Sequence, residues 1–174
     1  MARLPYADIE RSDIAPLVER ITQERGSVLH LYQMLLHSPA VAEGWLNFLT
    51  AIRQRCALSA DLRELVIMRV AALNGAAYEA DQHAPLALAA GVTEKQLEDL
   101  GTWTLSDQFT GQQRAVLQLT DEMTTAIQVS PDLIATVGAF LSHKEIVELV
   151  VTIAAYNMVS RFLEALSIHS DDSR

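Results

Sequence analysis

The chain has 174 residues, enough for one domain with a sizeable core, and half of them are apolar. Its net charge of −9, without a basic cluster, argues against a nucleic-acid partner, whose phosphates need neutralising. The single cysteine, Cys56, excludes a disulfide, a Cys-x-x-Cys pair and a cysteine-based zinc site within one chain.

Capping residues, prolines and glycines divide the N-terminal half into helices. Gly26 ends the first predicted helix, and Ser27 is expected to cap the second. Pro39 follows a serine and predicts the first turn of the third. Ser59 predicts the start of a fourth helix, and Gly75 its end. The predicted helices of this half span residues 14–24, 28–37, 39–56 and 60–74.

The C-terminal half shows the same signals. Gly91 ends a fifth helix, and two capping boxes follow, Thr93 with Gln96 and Ser142 with Glu145. We predict one all-α domain over residues 1–174, with its core at about 28–166 and a polar tail that frays. The further helices are predicted at 76–90, 94–100, 110–128, 131–141 and 143–166, the loop at 102–109 and the tail at 167–174.

No apolar run reaches the roughly 20 residues that span a bilayer, because charges interrupt each one. The longest, 146–162, contains Glu148 and Arg161. The N-terminus has no apolar signal-peptide region, so we expect a cytoplasmic protein without a membrane partner. The high apolar content predicts burial between subunits in a homo-oligomer.

Glu79 and His83 are four residues apart and share one face of the fifth predicted helix. A carboxylate beside an imidazole can act as an acid–base pair, although the same spacing is common in plain surface pairs. Because Glu79 lies near the helix N-terminus, we expect it to stay ionised unless it is strongly buried.

Three stretches resemble the carboxymuconolactone decarboxylase / alkylhydroperoxidase D-like family. The core signature of that family is similar to LRELVIMRVAALNGAAYEADQHAPLALAAGVTEKQLEDL, and its last helix to VELVVTIAAYNMVSRFLEAL. Its N-terminal helices resemble LYQMLLHSPAVAEGWLNFLTAIRQR. The resemblance implies the helical bundle of alkylhydroperoxidase D-like proteins.

In alkylhydroperoxidase D-like members a glutamate and a histidine relay protons to a Cys-x-x-Cys pair. The resemblance places the relay glutamate at Glu64 and the histidine at His83, while Ala76 and Glu79 occupy the two cysteine positions. Thiolate is the nucleophile in peroxide chemistry, and neither replacement supplies one. Because Cys56 lies outside the motif, we do not expect alkylhydroperoxidase activity.

By family analogy Glu64, Glu79 and His83 meet at one pocket. His83 is assigned as the general acid or base, because imidazole titrates near neutrality, and Glu79 or Glu64 would orient it. The alternative for Glu64 is structural. It would complement the dipole in the first turn of its helix, or pair with Arg69 or Arg161.

Four further side chains are candidates for substrate contact: Tyr78, Asn74, Arg69 and Tyr156. Each has a structural alternative, such as packing for the tyrosines and an ion pair with Glu64, Glu145 or Glu148 for Arg69. We expect neither a metal nor an organic cofactor, because only Glu79 and His83 have ligand spacing and the decarboxylase branch uses none.

The resulting hypothesis is cofactor-independent proton transfer on a small organic acid, lactone or enolisable carbonyl, with decarboxylation or isomerisation as the outcome. The alternative is a non-catalytic member of the family that binds a small molecule or serves in assembly. A third interpretation, residual peroxidase activity through Cys56, has the least support.

Overall fold

A computed structural model of the protein describes residues 1–172. All regular structure among these residues is helical, so the all-α class predicted from the sequence is confirmed. The elements in chain order are α1 (Ala15–Arg25), α2 (His30–Leu35), α3 (Pro39–Arg55), α4 (Ala60–Asn74), α5 (Ala77–Ala89), α6 (Glu94–Asp99), a 3-10 helix (Leu100–Leu105), α7 (Gly111–Thr125), α8 (Pro131–Gly138) and α9 (His143–Leu166).

Both predicted capping boxes are formed. The Thr93 hydroxyl accepts a hydrogen bond from the Gln96 N–H at 3.1 Å, and the Gln96 side chain accepts one from the Thr93 N–H at 3.0 Å. Ser142 and Glu145 exchange the same two bonds at the start of α9. These bonds satisfy backbone donors that a helix otherwise leaves unpaired in its first turn, and they fix where α6 and α9 begin.

Gly75 ends α4 in the left-handed conformation, with φ of 65°. Glycine adopts this backbone readily because it has no Cβ, whereas other residues adopt it under strain. The turn at Gly75 is short, since α5 begins at Ala77. Only Gly75 and Ala76 therefore separate the end of α4 from the start of α5.

The helix α2 is shorter than predicted. It runs from His30 to Leu35 with Leu29 as its N-cap, so Ser27 does not cap it. Every residue of α2 is buried. Packing, rather than a side-chain cap, therefore sets its ends.

The predicted loop at 102–109 begins inside the 3-10 helix instead. Trp103 is buried there, and Arg114 of α7 donates hydrogen bonds to the carbonyls of Trp103, Thr104 and Ser106. The guanidinium thus satisfies carbonyl groups at the end of a short helix, a long-range effect that local residue preferences do not reveal.

The described residues pack as two compact units, and the first contains Met1–Arg55 and the residues from Leu163 to Asp172. Its polar centre is Arg25, whose side chain is buried. The guanidinium donates to the Tyr32 hydroxyl at 3.2 Å and to the Thr50 hydroxyl at 2.7 Å. These bonds tie α1 to α2 and α3.

The last described residues pack within this first unit. Ile168 is buried, and the Tyr6 hydroxyl donates to the Asp172 carboxylate at 2.6 Å. The tail that the sequence predicts to fray is therefore held by contacts as far as Asp172. Ser173 and Arg174, which end the predicted tail, lie outside the described residues.

The second unit is Cys56–Phe162, and α4 lies at its centre, packed against α5 and α7. As the sequence predicts, α4 is buried on nearly every side. Burial of this apolar surface is the main favourable contribution to folding of the unit. One core cluster contains Leu65, Ala87, Val92, Leu100, Trp103, Phe109 and Leu117.

Of the residues that the structure describes, α9 alone is long and apolar enough, by length and composition, to cross a membrane. Half of its most apolar window is buried inside the protein. Leu149, Ile153 and Tyr156 are among its buried side chains. This burial is the pattern of a core helix, which passes the same test of length and composition.

A partly buried ion pair links α4 to α7. Arg69 contacts both carboxylate oxygens of Asp121, with Nε–Oδ1 at 2.6 Å and Nη2–Oδ2 at 2.9 Å. Its third donor reaches the Leu100 carbonyl at 2.9 Å, and the Trp103 indole donates to Asp121 at 3.0 Å. The guanidinium of Arg69 is therefore engaged by protein groups in this structure.

We predict that Asp121→Asn lowers the free energy of unfolding by about 2–3 kcal/mol, because the Arg69 guanidinium then lacks its counter-charge. Since Asp121 is 28 % exposed, the loss should stay below that of a fully buried pair. Urea denaturation measures it. In the control Glu98→Gln, which removes an exposed carboxylate near Lys95, the change should stay within about 0.5 kcal/mol. Equal losses in the two variants would contradict this account.

Candidate active site

Glu64 and His83 are hydrogen-bonded across the α4–α5 interface. The His83 Nδ1 lies 2.7 Å from Glu64 Oε2, and the two side chains are 8 % and 4 % exposed, His83 and Glu64 respectively. The bond is short and lies almost entirely out of water, where an ionic hydrogen bond is electrostatically strong. These two residues therefore form a fixed unit between the helices.

Arg63 gives Glu64 a second partner. Its Nε lies 3.4 Å from Glu64 Oε1, and the Arg63 side chain is only 15 % exposed. A cation beside a carboxylate favours the ionised form, so Glu64 is the acceptor and His83 donates through its Nδ1–H. With Nδ1–H donated to Glu64, Nε2 is the nitrogen that takes up a proton when the ring is neutral.

The structure pairs Glu64 with Arg63, whereas Arg69 pairs with Asp121. Asp61, not Glu64, is the acidic residue in the first turn of α4. The dipole of α4 therefore does not explain the position of Glu64.

Tyr156 of α9 completes one wall around the histidine. Its ring meets the His83 ring edge-on, with centroids 5.0 Å apart and an interplanar angle of 89°. Tyr156 is buried, and so is Tyr78 in the first turn of α5. Edge-to-face packing restricts rotation of the imidazole and adds to the constraint from Glu64.

Glu79 is a buried carboxyl group in the first turn of α5, with 2 % of the residue exposed. Ser160 of α9 lies beside it, with Oγ 2.9 Å from Glu79 Oε2. The helix dipole favours a negative charge here by about 0.3–1 kcal/mol. Removing an ion from water costs several kcal/mol. Burial therefore opposes ionisation of Glu79 more strongly than the helix dipole alone favours it.

Ser160 was not among the candidates from the sequence. A serine inside an apolar helix commonly bonds the carbonyl four residues earlier, and Ser160 does so with Tyr156 at 2.9 Å. Its second contact, to Glu79, depends on how α9 packs against α5. No local pattern marks that contact.

Asn74 and Arg69 are engaged by other protein groups. The Asn74 amide donates to the Asn157 side chain at 3.0 Å. The expected ion-pair partners of Arg69 were Glu64, Glu145 or Glu148, whereas the structure pairs it with Asp121. Substrate contact by Asn74, Arg69, Tyr78 and Tyr156 stays a prediction.

Cys56 is half-buried and unpaired as a disulfide. Burial, and next the negative charge of Glu148, raise the pKa of the Cys56 thiol. A raised pKa lowers the thiolate fraction at neutral pH, and the thiolate is the reactive form. The environment of Cys56 is thus the reverse of that of a redox-active cysteine.

Within residues 1–172, no three His, Cys, Asp or Glu side chains are grouped as metal ligands. Three surface clefts of the first unit, the largest of about 560 Å³, are not lined by Glu64, Glu79 or His83. Glu64, Glu79 and His83 are instead buried, with contacts among α4, α5 and α9.

The sequence matches a known family. The sequence profile of the carboxymuconolactone decarboxylase family matches residues 39–122, a range that contains Glu64, Glu79 and His83. The uncharacterized protein YdfG of Bacillus subtilis is 29 % identical over 106 residues, which cover 60 % of this chain and 72 % of YdfG.

Solved structures share the fold. An uncharacterized peroxidase-related protein from Ralstonia eutropha, described as an alkylhydroperoxidase AhpD core, has a TM-score of 0.83 at 15 % identity, over 98 % of this chain and 93 % of its own. A cysteine-to-alanine variant of the debrominase Bmp8, bound to 2,3,4-tribromopyrrole, has a TM-score of 0.78 at 16 % identity, over 96 % and 92 %. At such identities these structures establish the fold alone. The chain is therefore similar to the carboxymuconolactone decarboxylase family over residues 39–122, shares the helical fold of alkylhydroperoxidase D-like structures, and has no Cys-x-x-Cys pair.

Proposed function

We propose that this protein catalyses cofactor-independent proton transfer on a small organic acid, lactone or enolisable carbonyl, leading to decarboxylation or isomerisation. The observation that carries the proposal is the buried 2.7 Å hydrogen bond between His83 and Glu64. An imidazole oriented by a carboxylate is a common arrangement for a general base near neutral pH.

The chemistry assigned to His83 follows from its protonation state. With the Nδ1 proton held by Glu64, Nε2 takes a proton from carbon, and the C–H electron pair moves onto the neighbouring carbonyl oxygen as an enolate. Isomerisation ends when the imidazolium returns the proton at a different carbon. In decarboxylation Nε2 first takes a proton from solvent; the electron pair of the broken carbon–carboxylate bond then takes that proton from the imidazolium as carbon dioxide leaves.

Burial of the pair supports this role. Glu64 stabilises the imidazolium that forms during the reaction, and the interaction is stronger where water is excluded. Bmp8, a debrominase that binds tribromopyrrole, has a similar fold and holds a small ring-shaped molecule. A small substrate therefore suits a site that is almost closed to solvent.

We predict that His83→Ala lowers kcat by about 10²–10⁴-fold, the usual contribution of a general base. Glu64→Gln should also lower kcat, because the amide no longer stabilises the imidazolium. A screen of organic acids and lactones for turnover supplies the assay, and Glu98→Gln, an exposed substitution, is the control. Full turnover in both site variants would refute the proposal.

A second function, small-molecule binding without catalysis, is favoured by the replacement of both family cysteines, at Ala76 and Glu79. Thermal shift with the same compounds separates the two functions. A ligand that stabilises the wild type and His83→Ala equally, and is recovered unchanged, supports binding alone. A ligand that is converted only by the wild type supports catalysis.

Residual peroxidase chemistry would have to use Cys56. Because the pKa of this thiol is raised, alkylation by iodoacetamide should be slower at pH 7 than for a free cysteine, and its rate should continue to increase with pH beyond the free cysteine's range. Peroxide consumption should be the same in the wild type and in Cys56→Ser. Loss of peroxide consumption in Cys56→Ser would show that the thiol is catalytic.

A further inference from the structure

The Ser160 hydroxyl lies between two oxygen atoms inside the second unit. Its Oγ is 2.9 Å from Glu79 Oε2 and 2.9 Å from the Tyr156 carbonyl oxygen. Ser160 has no exposed surface, and Glu79 is 2 % exposed. Both oxygen–oxygen contacts are therefore at hydrogen-bonding distance in the protein interior.

Each of these two contacts needs a proton. Ser160 has one hydroxyl proton, and the Tyr156 carbonyl has none. If Glu79 were ionised, the Ser160 proton could form a full hydrogen bond to only one of the two oxygens, either that of Glu79 or that of the Tyr156 carbonyl. The other oxygen would then lie 2.9 Å from Ser160 Oγ without a hydrogen between them. If Glu79 is protonated, its O–H donates to Ser160, and Ser160 donates to the carbonyl, so both contacts are satisfied.

We propose that Glu79 is a neutral carboxylic acid in the folded protein, and that Ser160 is the positioning residue that holds its proton. Glu79 then donates a hydrogen bond to Ser160, and Ser160 donates one to the Tyr156 carbonyl in the backbone of α9. Each of the two buried contacts of Ser160 Oγ then has its own proton.

The charges around Glu79 in the second unit agree with this assignment. His83 is one turn further along α5 and holds the Glu64 carboxylate of α4, which Arg63 accompanies. From α9, Tyr156 packs against His83, while Arg161 donates from Nη1 to the carbonyl and the side-chain oxygen of Asn157. One carboxylate is therefore already ionised in this cluster, and a second would be disfavoured by repulsion.

The consequence for the active site rests on the proposed function. With Glu79 neutral, Glu64 is the one ionised carboxylate among Glu64, Glu79 and His83. His83 is the general base that acts on the substrate. A substrate that carries its own carboxylate then meets one negative charge instead of two. The proton on Glu79 thus removes one of the two negative charges that would repel a small organic acid in this cluster.

Glu79→Gln tests the protonation state without substrate, because glutamine has nearly the shape of the neutral acid and its amide can donate to Ser160 in the same way. An acid protonated in the folded state at neutral pH has a pKa above its unfolded value of about 4.3. The folded protein then binds more protons than the unfolded chain as pH rises through this range. Wild-type stability must therefore fall with rising pH relative to Glu79→Gln.

Urea denaturation between about pH 4.5 and pH 8 measures this difference, and Glu98→Gln, at an exposed glutamate, is the matched control. We expect the folding equilibrium constant of the wild type, relative to that of Glu79→Gln, to fall about tenfold for each unit of rising pH. This fall should continue until Glu79 ionises. Relative to the exposed control, the wild type should stay level above about pH 6. A level difference between wild type and Glu79→Gln over the whole range would overturn the proposal.

Infrared spectroscopy at neutral pH gives a second readout, which also covers the case in which Glu79→Gln folds poorly. The wild type should show the carbonyl stretch of a protonated carboxylic acid, and Glu79→Gln should lose it. Ser160→Ala should shift or abolish that band, and Ser160→Thr, which keeps the hydroxyl, should restore it. Absence of the band in the wild type would overturn the proposal, whereas normal turnover in His83→Ala with the band present would overturn the proposed function alone.

Discussion

The hydrogen bond between Glu64 and His83 is the constraint on which the arrangement of α4, α5 and α9 depends. Both side chains are nearly inaccessible to water, so each would be costly to bury without the other. Arg63 at the edge of the pair adds a positive charge that keeps Glu64 as the acceptor. Tyr156 then packs against the imidazole that this bond has oriented. Polar pairing and apolar packing therefore determine the position of the same ring.

The two glutamates of the cluster have opposite environments although they lie close to one histidine. Glu64 has a guanidinium and an imidazole beside it, whereas Glu79 contacts a serine hydroxyl that also bonds a carbonyl. A favourable dipole of about 0.3–1 kcal/mol does not offset a desolvation cost of several kcal/mol at Glu79. Environments that separate the proton affinities of two carboxyl groups are a recurrent way to divide acid and base roles in an active site. In the protonation state that we propose, Glu79 adds a proton at a position where the resemblance to the family places a cysteine.

Most helix ends could be predicted because their signals are local. The Ser142–Glu145 box and the left-handed Gly75 need only neighbouring residues to form. The pairing of Glu64 with His83 came from resemblance to a family, since the two residues are 19 positions apart and on different helices. The partners of Arg69 and Ser160 could not be predicted, because Asp121 and Glu79 reach them only through helix packing. For the same reason the 3-10 helix was expected to be a loop, since Arg114 of a later helix completes its bonding.

The central claim is that Glu64 holds the proton of His83 on Nδ1 and leaves Nε2 as the base. The nitrogen-15 chemical shifts of the His83 ring, assigned by comparison with His83→Ala and measured near neutral pH, test it most directly. We predict a protonated Nδ1 and an unprotonated Nε2 in the wild type, and loss of this preference in Glu64→Gln. A wild-type ring protonated on Nε2 alone, or a pattern unchanged by Glu64→Gln, would contradict it.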